Sequence, residues 1–208
     1  MSNDLVVAAI LLVVGPVLGA AGVARPALLS VWTAPRDTHF AMVRAHRRDW
    51  RLANAGFFLA TVATSGGLAV LTMAVPADAG PRAVLVAATV VYAIAGALWC
   101  AVVAIRDRTT PALAEMVAAG TPTEPAEAIL GAALTGLFTA FMVTSAGALL
   151  AIGLVLALGG GIAAPVAWLV ALIAAGVIVS NLASREVIPA VIYFPTLFIG
   201  LALLLGWS

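Results

Sequence analysis

The chain has 208 residues, of which 64% are hydrophobic and 9% charged, whereas a soluble domain carries about a quarter of its residues as charges. Its mean hydropathy is +1.17. The formal net charge of +1 says little by itself, because the distribution of charge along the chain carries the information, and no nucleic-acid partner is expected. The single cysteine, Cys100, excludes an intrachain disulfide or a cysteine-based zinc centre. The composition predicts an all-α, polytopic membrane protein, because uncharged runs of roughly twenty residues recur along the chain.

Residues 1–4 hold no basic residue, so the start lacks the basic region of a cleaved signal peptide and residues 5–24 read as a retained first span. Pro16 is expected to kink it. Gly15, Gly19 and Gly22, at spacings of four and three, predict a smooth face for close helix contact.

Residues 25–51 follow, holding Arg25, Arg36, Arg44, Arg47, Arg48 and Arg51, six of the ten basic residues, and both histidines, His39 and His46. Thr38 to Arg51 is expected to form one amphipathic helix lying in the membrane interface, with Asp37 or Thr38 as N-cap. On that helix Arg44, Arg48 and Arg51 share a face suited to anionic headgroups.

The second span is expected over 52–75, with Asn54 near its basic end, and the third over 83–105. Residues 106–128 form a second polar segment. Within it a short helix is expected near Pro111 to Ala119, and Thr121 and Glu124 have capping-box spacing. Spans four to six are expected over 129–158, 165–184 and 187–207, making one integral membrane bundle of residues 1–208. Gly56-Phe57-Phe58 through Thr64-Ser65 resembles Gly136-Leu137-Phe138 through Thr144-Ser145, which suggests a parallel repeat of spans one and two in three and four.

With six spans the odd-numbered loops carry six, two and one arginines, and the even-numbered ones one and none. Basic residues in short loops mark the cytoplasmic side. The loop 25–51 is therefore expected in the cytoplasm and both termini outside. The lysine-free, Ala-, Gly-, Val- and Arg-rich composition fits a bacterial plasma membrane.

The chemistry is sparse. His39 and His46 lie seven apart, about 10 Å along a helix, too far to share a metal, and no zinc-protease spacing occurs. No metal site is expected, and no cofactor is indicated. No ionisable group lies deep in an expected span, which disfavours ion pumps, proton-coupled carriers and voltage sensors. His46 and Asp49, three apart, are the one candidate acid–base pair. Candidate ligand-binding residues are Arg36, Arg44, Arg48 and Arg51 on the basic loop, with Asn54, Asn181 and Glu186 near the same ends of their spans. Two classes of function fit. The first is a protein that binds, transports or serves as accessory subunit for an apolar or lipid-like molecule. The second is a small interfacial enzyme using Arg36, Asp37, His46 and Asp49 on a lipid-like substrate. The expected partners are the bilayer and its anionic lipids, with room for an oligomer or partner subunit.

Overall fold

A computed structural model describes residues 2–75, 78–159, 162–183 and 189–206. Among these the regular structure is helical: α1 (Asn3–Val23), α2 (Arg36–Ala45), α3 (Arg47–Ala74), α4 (Ala79–Ala118), α5 (Glu124–Gly159), α6 (Ala164–Ala183) and α7 (Tyr193–Leu204), with 3-10 turns at Pro26–Leu28 and Pro189–Ile192. Five helices, α1, α3, α4, α5 and α6, are long and apolar enough to cross a membrane. The stretch expected as a sixth span is a shorter apolar helix, Pro189–Leu204. Pro195 sits in the first turn of α7, where a missing N–H removes no helical hydrogen bond.

The outward surfaces of these helices are apolar. Val17, Ile94, Leu172, Val179 and Leu182 are each more than half exposed, a belt that suits acyl chains and not water. Because lipid tails are as apolar as leucine, such helices associate through close packing and interhelical hydrogen bonds rather than through burial of oil. The α1–α3 contact does this with glycine. A Cβ on Gly15 would lie 2.6 Å from Thr64 Cγ2 and 2.9 Å from the Ala60 carbonyl oxygen. One on Gly22 would lie 2.9 Å from the Ala53 oxygen, and one on Gly56 2.9 Å from the Leu18 oxygen. The small-residue face of α1 is thus a backbone-to-backbone seam. Elsewhere α1 also packs on α7, α4 on α3 and α5, and α5 on α6.

Hydroxyl groups tie the helices at depth. Thr61 Oγ1 lies 2.9 Å from the Tyr193 hydroxyl, and Thr72 Oγ1 lies 2.7 Å from Thr89 Oγ1. At the far end of α3, Arg82 donates to the Thr72 and Val75 carbonyls at 3.3 and 2.9 Å, which places its charge on the negative end of the α3 dipole.

The polar segments differ from the sequence expectation. The helix foreseen over Thr38 to Arg51 is broken at His46, whose φ of −118° and ψ of 42° end α2 and start α3. Arg44 therefore belongs to α2, and Arg47, Arg48 and Arg51 to the first turns of α3. Packing accounts for the break. Phe40 of α2 is seated on Leu113 and Ala114 of α4, while Val43 joins Leu28, Val31, Trp50 and Ala53. No side chain caps α2, which starts after Pro35.

Nor does α4 stop at residue 105. It runs unbroken for 40 residues, about 60 Å at 1.5 Å per residue, twice the roughly 30 Å of a hydrocarbon core. Its last turns and the first turns of α5 make a hairpin with α2 laid against it. Arg44 Nε donates to Glu115 Oε2 at 3.0 Å. Arg36 donates to Glu127 Oε2 at 2.8 Å, Thr123 Oγ1 at 2.7 Å and Asp37 Oδ1 at 3.0 Å. The Glu127 hydrogen bond raises the Arg36 pKa above the ordinary arginine value. At the start of α5, Thr123 with Glu127 takes the place of the Thr121 and Glu124 pair suggested by spacing.

Candidate functional site

The distinctive chemistry lies where α3 and α4 meet the loop between α1 and α2. Trp99, Val102 and Arg106 recur on one face of α4 at spacings of three and four, as do Trp50, Asn54 and Phe57 on α3. The turn at residues 26–33 brings Trp32 against both helices. Trp32 stacks on Trp50 with centroids 5.8 Å apart and meets Phe57 edge-on at 6.0 Å. Phe57 meets Trp99 edge-on at 5.9 Å, and Trp99 stacks on Phe141 at 5.2 Å.

Arg106 sits inside this box. Its Cζ is 5.0 Å from the Trp32 ring, 5.3 Å from Trp50, 5.7 Å from Phe57 and 5.8 Å from Trp99. Each ring face offers a guanidinium roughly 0.5–2 kcal/mol, though four rings around one cation do not add. Nε and Nη2 donate to Asn54 Oδ1 at 3.2 and 2.9 Å. Asn54 is oriented for this by its own Nδ2, which donates to the Trp50 carbonyl at 2.8 Å. Among the described residues no carboxylate lies within 4.0 Å of the Arg106 guanidinium.

Beside Arg106 opens a cavity of about 590 Å³, walled by Trp32, Phe57, Trp99, Val102 and Phe138 and reaching Pro189 and Ala190. Ligand sites span roughly 300–1,000 Å³ and combine apolar walls with a few placed polar groups. Leu29, Thr33 and Thr135 line it and are exposed, so they form its rim. All of its wall lies at the end of the bundle that carries residues 25–51.

No protein-family model, curated protein or solved structure matches the chain. The site is therefore read from its own residues.

Of the candidate ligand-binding and acid–base residues singled out in the sequence, only Asn54 bonds Arg106. Asn181 is buried on α6, its Oδ1 without a partner among the described residues, and is not in the cavity wall. Glu186 lies outside the described residues. Arg36 and Arg44 are engaged with Glu127 and Glu115. Arg48 and Arg51, with Arg47, are exposed and form no ion pair among the described residues. They remain free to meet headgroups. His46 is exposed at the α2–α3 junction, while Asp49 accepts from Arg25 Nη1 at 3.1 Å. Neither His46 nor Asp49 lines the cavity. His39 has a structural place: its Nδ1 is 3.0 Å from the Val31 oxygen and its ring meets Trp50 edge-on at 5.9 Å. Among the described residues no cluster of three or more His, Cys, Asp or Glu side chains could hold a metal ion.

Sequence reasoning missed Arg106, Trp32 and Trp99. The available signal was the face of α4: its buried positions Tyr92, Ala95, Trp99, Val102 and Val103 lead to Arg106 and resume at Thr110 and Leu113. A stripe that continues beyond a charged residue says that the residue is on the packed face.

Proposed function

We propose that the chain is a plasma-membrane protein, bacterial in its composition, that binds an apolar or lipid-like molecule in the Arg106 cavity, as a carrier or as an accessory subunit. The observation that supports this most is a single charged group, Arg106, set in a largely apolar, aromatic-walled cavity with two threonines at its rim. That combination orients an amphiphile rather than reacting with it. An interfacial enzyme built on Arg36, Asp37, His46 and Asp49 has less support, because those groups are exposed or ion-paired and do not converge. The test uses tryptophan fluorescence. Trp168→Phe with Trp207→Phe leaves the three cage tryptophans as reporters, and single-chain amphiphiles brominated along the tail should quench them saturably. Quenching that rises only in proportion to bulk membrane concentration would sink the proposal.

In this reading the Pro189–Leu204 segment completes a sixth crossing, the loop 25–51 faces the cytoplasm, both termini face out, and Arg47, Arg48 and Arg51 lie among anionic headgroups. The α1–α3 and α4–α5 pairs are the two units of the suggested repeat. In a Cys100→Ala background, an impermeant maleimide should label Asp78→Cys on intact cells, but Arg47→Cys only after permeabilisation. The reverse pattern would invert the orientation.

A further inference from the structure

We infer that the cavity selects an amphiphile with an oxyanion headgroup, a carboxylate or a phosphate monoester, seated against Arg106. The inference rests on the amphiphile-binding reading above and names the head that such a molecule carries.

The donor inventory is the first argument. A guanidinium has five N–H donors and no acceptor. Two bonds, both to Asn54 Oδ1, are formed by Arg106. The others have no acceptor among the described residues, and Arg106 lines the open cavity. Charge is the second. Arg106 is the one ionisable side chain in the cavity wall among the described residues, and ring faces stabilise a cation without neutralising it. The indole N–H of Trp32, a wall residue, is also buried without an acceptor among the described residues. A cavity whose one charged wall residue is a guanidinium presents a positive potential in a low-dielectric wall, where a charge-assisted, forked contact to carboxylate or phosphate is strong. A quaternary ammonium head would meet repulsion there.

Size and shape give the rest. The cavity has the volume of about twenty water molecules at roughly 30 Å³ each. That is room for a head and part of one chain, with the remainder leaving over Leu29 and Thr135 toward the exposed apolar surface.

The experiment uses the full chain in nanodiscs of zwitterionic lipid, with a fluorophore-labelled long-chain alcohol as the bound probe. Its displacement is measured with chain-matched amphiphiles ending in carboxylate, phosphate, hydroxyl or trimethylammonium, and with acetate and inorganic phosphate, which have no tail. Both anionic amphiphiles should displace the probe about tenfold or more better than the alcohol, with the ammonium compound weakest and the tail-less anions inactive. Asn54→Asp keeps an acceptor on Arg106 and supplies a counter-charge from within. It should erase the anion preference, with the melting temperature read alongside to show that the variant is folded. Equal displacement by alcohol and anions, or an anion preference that survives Asn54→Asp, would overturn the headgroup inference and leave the cavity reading standing. Inorganic phosphate competing as well as the phosphate amphiphile would assign a soluble-anion site and also overturn it. Failure of the alcohol probe itself to bind would remove the cavity reading.

Discussion

Gly56→Leu is expected to abolish the folded protein. A side chain there would start 2.9 Å from the Leu18 carbonyl oxygen and 3.3 Å from Gly22 Cα, both backbone atoms that cannot rotate away. Overpacking a well-filled core by methylene-sized increments costs about 1–3 kcal/mol, and leucine asks for a larger separation of α1 from α3. Whole-domain stabilities are about 5–15 kcal/mol, so a loss above about 3 kcal/mol should show as aggregation or a greatly lowered melting temperature. Gly136→Leu is the control, since a Cβ there meets nothing within 4 Å. It should shift stability by less than about 0.5 kcal/mol. Size-exclusion profiles and thermal melts of the two variants decide the matter. Equal, mild effects would mean that the α1–α3 seam is not a tight contact. The comparison also bears on the suggested repeat, because Gly56 and Gly136 correspond in it yet sit in different surroundings.

The second large effect concerns Asn54. Asn54→Leu keeps the volume but withdraws the acceptor from Arg106 Nε and Nη2. Hydrogen bonds to a charged partner contribute about 1.5–3 kcal/mol, and an unpartnered buried charge costs more than the bond itself was worth. A destabilisation of about 2–4 kcal/mol is expected, read as a lower melting temperature. Asn54→Asp should restore part of it, since the acceptor for Arg106 returns while the Nδ2 donor to the Trp50 carbonyl does not. Stability unchanged in Asn54→Leu would mean that Arg106 does not depend on Asn54.

Much of the architecture was readable from residues alone, because helix in a membrane is dictated by backbone chemistry. A run of apolar residues must satisfy its N–H and C=O groups internally, so α1, α3, α5 and α6 follow directly from composition. The Gly15–Gly19–Gly22 face was legible for the same reason: small residues at spacings of three and four can only serve close approach. What the sequence did not yield is where helices continue past their apolar run. By its sequence Arg106 starts a loop, because charge usually ends a span. Here a box of aromatic rings and one asparagine make a guanidinium tolerable, and α4 carries on through Pro111 to Ala118. The basic loop misled similarly. Its wheel face of Arg44, Arg48 and Arg51 assumed one helix, whereas the pull of Phe40 onto Leu113 and of Arg44 onto Glu115 breaks it at His46. Such long-range partners lie far along the chain, and no local pattern announces them. Asn54 was visible as an odd polar group in an apolar run, but its partner was not.

The proposed occupant of the Arg106 cavity is an amphiphile. Native mass spectrometry of gently extracted protein, wild type against Thr135→Trp, tests for it. Thr135 is an exposed residue of the rim, so tryptophan there should plug the mouth without disturbing the core. Wild type should carry one tightly held single-chain amphiphile that survives delipidation, and Thr135→Trp should lose most of it. An identical set of bound masses on both proteins, or none on either, would contradict that occupancy.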